Sequence, residues 1–210
     1  IMYRVKSESD IVSVTFNCIC NENFDEFEIS INPNGSNEHW EICNEVVGSI
    51  DPDTHKAKGE FQFKVKSLYD IQDEPLLQIK TNRGIANIRA CILLKLIDKG
   101  SLLTKPVFEA RCNQVISALG KQAMESRKLQ LHNLSVDQME RLVTKLGFGL
   151  VSTESNDTQW EICAAGLFKS AQNAIGVLIK ITNQGQLTVL TTQSDLSHFI
   201  ASRLEMVFCS

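Results

Sequence analysis

What the sequence lacks narrows its function first. None of its seven cysteines is spaced as CxxC, and no apolar run approaches the roughly 18 to 20 residues of a membrane span. No two of the four histidines have the HxxxH or HExxH spacing that holds a hydrolytic zinc. The GxSxG nucleophile elbow, the Walker phosphate loop and the GxGxxG dinucleotide loop do not occur. Gly147-Phe148-Gly149 gives only GxG, and it follows a helical pattern rather than a strand, so it reads as a helix stop and strand entry. Paired carboxylates such as Asp25 and Glu26 read as solvated surface. No Cys sits in the polar, Gly-rich setting that favours a thiolate. The chain is therefore expected not to be an enzyme, and to carry neither a cofactor nor a metal.

Positive charge is also in short supply. Residues 1–100 carry 11 basic and 16 acidic groups, and residues 101–210 carry 10 and 9. Neither half has the basic stripe of a nucleic-acid binder or the Lys/Arg cluster of a membrane-surface segment. No signal peptide is visible, because the apolar run at the N-terminus is short and mixed with Lys6 and Glu8. The chain opens on Ile1 and is expected to be a piece of a longer protein. Cys18, Cys20, Cys43, Cys91, Cys112, Cys163 and Cys209 are odd in number and sit mostly in apolar runs, which predicts reduced, buried thiols in a cytosolic protein rather than a disulfide framework. Cys18 and Cys20 share a strand face but have no His or Cys at ligand spacing.

What is present is apolar patterning of two kinds. Before residue 100 it has period two. Residues 12–19 place Val12, Val14, Phe16 and Cys18 on one face; 27–31 and 61–65 alternate likewise; 76–79 and 88–96 are further strand candidates. Turn residues fall between them at Asn32-Pro33-Asn34-Gly35, Asp51-Pro52-Asp53 and Asn82-Arg83-Gly84. Short alternating strands at this spacing predict an antiparallel β-sandwich, with Trp40 as strand packing. After Gly100 the period becomes mixed. Phe108, Cys112, Val115, Ile116 and Leu119 form one stripe on a helix over 106–119, stopped by Gly120, and the stripe predicts a buried face. A second helix runs over 135–146, with Ser135 and Gln138 as a capping box, Met139, Leu142, Val143 and Leu146 as its buried face, and Gly147 beyond it. Strands follow at 148–153, 161–168, 174–181 and 186–191, with a turn at Asn183-Gln184-Gly185. A closing helix starts near Asp195, with Ser194 as N-cap. The expected fold is an all-β sandwich domain over 1–100 and an α+β domain over 101–210, an antiparallel sheet whose three helices cover one side. No internal repeat or low-complexity segment is present.

Several words in this order resemble the appendage, or ear, of adaptin-family coat-adaptor large subunits. They are Leu146-Gly147-Phe148-Gly149, Ala165-Gly166-Leu167-Phe168 and Gly176-Val177-Leu178-Ile179-Lys180-Ile181, with Ser202-Arg203-Leu204-Glu205 in the closing helix. They are similar to the platform subdomain of alpha-adaptin. Glu74-Pro75-Leu76-Leu77-Gln78-Ile79 resembles the end of the family's sandwich subdomain. The resemblance implies a protein without catalysis that captures short linear motifs of accessory trafficking proteins. It also implies attachment to other adaptor subunits through a preceding segment, with no nucleic-acid partner and no insertion into the membrane. The implied location is cytoplasmic, peripheral on trans-Golgi, endosomal or coated-vesicle membranes. The family's motif groove lies beside a Trp on the first platform helix, with basic residues on neighbouring strands. Here that Trp position falls at Val115 or Ile116, one basic position is kept as Lys180, and the other falls near neutral Thr188. These departures favour a branch such as epsilon-adaptin over alpha-adaptin. Trp160, opening a strand, is a further candidate ligand contact. The competing reading is a structural docking module of a coatomer-like coat, with no motif groove.

Overall fold

The computed structural model describes residues 2–8, 11–19, 27–32, 38–47, 51, 53–69, 71–89, 92–100, 102–131, 134–156, 159–169 and 174–209. Asp25 and Glu26, Cys20 and Cys91, the turn residues Pro33, Asn34, Gly35 and Pro52, and His132 lie outside them. The chain divides into two units, Ile1–Lys95 and Leu96–Ser210. The first is β-rich and the second α+β.

In the first unit, strands β1 (Met2–Glu8), β2 (Ile11–Ile19), β4 (Trp40–Val47) and β5 (Lys56–Val65) form an antiparallel sheet in the order β1-β2-β5-β4. A second antiparallel sheet takes β3 (Phe27–Asn32), β6 (Leu76–Thr81) and β7 (Gly84–Arg89) in the order β3-β6-β7. The period-two pattern does what it predicts in β2, where Val12, Val14, Phe16 and Cys18 are all buried. Ala57, Phe61 and Phe63 of β5 join them, with the Phe16 and Phe61 rings stacked at 5.8 Å. Trp40 is buried edge-on to Phe63, and its Nε1–H donates to the Asp73 carbonyl at 2.9 Å, so the indole keeps a polar partner on burial. Glu74 is fully buried and accepts hydrogen bonds from the Tyr69 hydroxyl, at 3.4 Å, and from the Ile92 backbone N–H.

The strand expected over 88–96 does not form. β7 stops at Arg89, and Ile92–Lys95 is a helical turn, α1, with Ile92, Leu93 and Leu94 all buried. A continuous apolar run carries no period, so composition alone could not separate the two outcomes.

The second unit is a six-stranded antiparallel sheet in the order β10-β11-β12-β13-β9, with the short β8 also paired to β11. Its strands are β8 (Ile97–Asp98), β9 (Met124–Lys128), β10 (Gly149–Ser155), β11 (Trp160–Lys169), β12 (Ala174–Thr182) and β13 (Gln186–Thr191). The unit begins at Leu96 because the Leu96 carbonyl accepts from Lys169 N–H and β8 pairs with Leu167 and Phe168. The helices are α2 (Lys105–Leu119), α3 (Val136–Lys145) and α4 (Ser194–Phe208). Ser135 and Gln138 form the expected capping box on α3. Gly147 sits at φ 93°, where an added Cβ would lie 2.2 Å from the Ile97 carbonyl oxygen, so the chain leaves α3 by a route only glycine fits. The N-cap of α4 is Gln193 rather than Ser194, and Thr191 Oγ1 accepts from its N–H.

Two expectations about the helices fail. They do not all cover one side of the sheet. Ile162, Ala164, Val177, Ile179, Ile181, Leu187 and Val189 share one face and are sealed completely. α4 lies on that face: Ser197 Oγ meets Thr191 Oγ1, and Arg127 of β9 reaches Ser202 Oγ at 3.3 Å. α3 lies there too, with Thr153 donating to Glu140. α2 lies on the opposite face. Nor is the α2 stripe a buried face, since only Phe108 is buried; Cys112 and Val115 are half-buried, and Ile116 and Leu119 remain 38% and 42% exposed.

Replacing Ser135 by Ala removes the side-chain acceptor for Gln138 N–H and should lower the stability of this unit by about 1 kcal/mol. Chemical denaturation of the two proteins, compared at equal slope, measures it; an unchanged midpoint would show that the cap contributes nothing.

Candidate functional site

The geometry follows from strand register. Residues directly paired in an antiparallel ladder point to the same face. On the face opposite α3 and α4 this gives two rows across β11, β12, β13 and β9. One is Ala165–Leu178–Leu190–Met124 and the next is Cys163–Lys180–Thr188–Ser126. Glu161, paired with Thr182, begins a third. The first row is apolar, and Phe108 of α2 packs on Ala165, Leu178 and Leu190, with Cys112 and Met124 at the margin. Burying Phe108 contributes about 2 to 3 kcal/mol to holding α2 there. Cys163, at the β11 end of the second row, belongs to the same buried cluster, while Lys180, Thr188 and Ser126 and the third row are polar and lie beyond it. Between them and α2 a groove of about 650 Å³ stays open.

Helical spacing brings Glu109, Cys112, Asn113 and Ile116 to the groove wall, while Lys180, Thr188, Thr182 and Gln186 supply the strand side. Of the residues singled out in the sequence, Ile116, Lys180 and Thr188 thus come together. Val115 is half-buried on α2 and does not line the groove. Trp160 does not line it either. It sits half-buried at the start of β11, beside a smaller cavity of about 330 Å³ with Glu154, Gln159 and Asn183. The two cavities share Glu161, Thr182 and Gln184. Sequence reading missed Glu161, Glu109 and the three sulfur residues Cys112, Met124 and Cys163. Counting outward from the Asn183–Gly185 turn would have placed Lys180 opposite Thr188. Cys163 and Glu161 required the β11–β12 register as well.

Electrostatics of the groove are set by closed ion pairs. Lys180 Nζ lies 2.8 Å from Glu161 Oε2, and this carboxylate holds the Lys180 ammonium above the ordinary lysine range against the opposing effect of desolvation. Lys105, in the first turn of α2, is bonded to Glu154 of β10 and lies 3.9 Å from Glu109. That bond holds the Glu154 carboxyl below its usual range. Burial pushes the Cys112 thiol up to about 11, with the neighbouring Cys163 adding to the effect, and burial raises Cys163 as well. Both are therefore neutral thiols at physiological pH, contributing polarisable apolar surface rather than a nucleophile. The Cys163 thiol donates weakly to Glu161 Oε1 at 3.7 Å. Among the described residues, no three His, Cys, Asp or Glu side chains are grouped to hold a metal ion, and no helix is long and apolar enough to cross a membrane.

In comparison with known proteins, the chain matches no family model and no curated protein.

The Cys112 thiol yields a pH test. With its pKa near 11, roughly one thiol in a thousand is ionised at pH 8. Maleimide labelling of Cys112, followed by peptide mass analysis, should be much slower than labelling of exposed Cys43 at pH 7.5. Its rate should rise about tenfold per pH unit without levelling off below pH 10. A plateau near pH 8 would contradict the half-buried, neutral thiol.

Proposed function

We propose that this chain is the appendage of a vesicle-coat adaptor large subunit, recruiting accessory trafficking proteins through short linear motifs. On this reading the β-rich unit is the sandwich subdomain and the α+β unit the platform. The observation that carries it is the groove between α2 and the second and third sheet rows. It opens beside Ile116, one of the two positions, with Val115, where the resemblance puts the family's aromatic, and across from Lys180 and Thr188. A volume of about 650 Å³ suits one or two side chains of an extended segment. A motif this short must lose chain entropy on docking, so its affinity is on the order of micromolar and recruitment depends on several weak contacts combined.

A coatomer-like docking module is the second reading. Val107 and Leu119 favour it, being apolar, 43% and 42% exposed, and outside the groove.

Titration separates the two. A partner found by pull-down from cytosol is reduced to its binding peptide and titrated against wild type, Ile116→Asp and Lys180→Glu. Ile116→Asp places a charge on the groove wall and should weaken binding about tenfold or more. Lys180→Glu should change affinity by only about fivefold or less, because a half-exposed ion contact is worth roughly 0 to 1 kcal/mol. If both variants fold and bind as wild type does, the groove is not the site; if only Leu119→Asp disrupts capture, the docking-module reading stands instead.

A further inference from the structure

We infer that the groove selects segments in which an aromatic anchor is accompanied by a lysine or arginine, the anchor entering beside α2 and the cation reaching the adjoining cavity at Trp160. This rests on the peptide-docking reading above and specifies the chemistry of the ligand.

Continuity comes first. The larger and smaller cavities share Glu161, Thr182 and Gln184, so one extended segment can occupy both. Their linings differ. The end under α2 is apolar and rich in sulfur, with Phe108, Ile116 and Leu190 alongside Cys112, Met124 and Cys163. Thiol and thioether groups contact aromatic ring edges favourably, and they supply the polarisable surface that a tryptophan would otherwise give. The other end has an aromatic ring and two carboxylates, Trp160 with Glu154 and Glu161, and among the described residues no basic side chain lines it.

Charge decides the sign of the preferred neighbour. Among the described residues, three carboxylates line the joined cavities, Glu109, Glu154 and Glu161, against a single lining ammonium, Lys180. That ammonium is already held at 2.8 Å by Glu161, and Lys105 outside is engaged with Glu154 and Glu109. An acidic motif would have to break the Lys180–Glu161 pair or lie against an excess of like charge. A cation meets the opposite situation. Each carboxylate accepts several hydrogen bonds and is not saturated by one lysine, and the Trp160 ring adds a face for cation–π contact.

The experiment selects a displayed library of twelve-residue peptides, random except for a central Phe, on the whole chain. Peptides enriched on wild type over Ile116→Asp are sequenced. Lys and Arg should be enriched about threefold or more over the library, and Asp and Glu depleted. Glu161→Gln removes one carboxylate and releases Lys180, so it should abolish the basic preference and raise acidic flanks. Glu154→Gln, at an exposed position, should weaken the basic preference without that reversal. For one enriched Arg peptide and its Arg→Gln counterpart, Trp160→Ala should weaken the first about five- to tenfold and the second less than twofold. Acidic enrichment on wild type would overturn the inference while leaving peptide docking intact. So would flank preferences that neither Glu161→Gln nor Glu154→Gln alters. If no peptide is enriched over Ile116→Asp, both the inference and the docking reading fall.

Discussion

Everything at the candidate site depends on where Phe108 lands. It is the single buried residue of α2, and it meets the sheet on the Ala165–Leu178–Leu190 row. A helix held along one row covers about one helix diameter of sheet, and beyond Cys163 the next rows stay open. Those rows are polar at Lys180, Thr188, Thr182 and Glu161, so leaving them uncovered costs little. The opposite face has no such freedom. Its central side chains on β11, β12 and β13, from Ile162 and Ala164 to Leu187 and Val189, are apolar and sealed from water, which makes that side the stabilising core and the α2 side the adaptable one.

Glu161 occupies the junction of that adaptable side. It holds Lys180 through one oxygen, accepts weakly from Cys163 through the other, and lines both cavities. A lysine kept in this way has its charge already satisfied within the sheet. The groove is therefore not a basic patch, even though a lysine lines it. Thr188 pairs with Lys180 on one side and Ser126 on the other, so a cation in its place would face no carboxylate directly across either strand.

Where a residue has one physical option, its sequence was legible. β2 alternates because one face is buried, and Val12, Val14, Phe16 and Cys18 are all enclosed. Ser135 and Gln138 announce the start of α3 through local hydrogen bonds that need no tertiary context. The α2 stripe was read correctly as a stripe and wrongly as core. Periodicity shows which residues share a face, but nothing in it says whether this chain or another covers that face. The run over 88–96 failed for a related reason, since uninterrupted apolar residues suit a buried helical turn as well as a strand. Lys180 and Thr188 could be paired because a turn of known position fixes register on both sides. Trp160 and Glu154 could not be assigned to a cavity, because it forms from strand ends that only the folded sheet aligns.

The second half of α2 differs in composition from the first. Between Arg111 and Lys121 the sequence has no charged residue, yet most of that stretch is exposed. A helix face left permanently to water normally carries charges, which keep it soluble and add pairs between successive turns. Here the exposed residues are Ile116 and Leu119 among Asn113, Gln114, Ser117 and Ala118, uncharged side chains that cost less to desolvate than ions do. Moderate apolarity without charge is the composition found at the core of protein interfaces rather than at their rims. The charged residues of α2, Lys105, Glu109 and Arg111, fall in its first half, and the first two of these border the ion pairs at the edge of the groove. The helix thus changes along its length from an electrostatic margin to an apolar contact surface, and Cys112, Asn113 and Ile116 meet the groove where that change occurs.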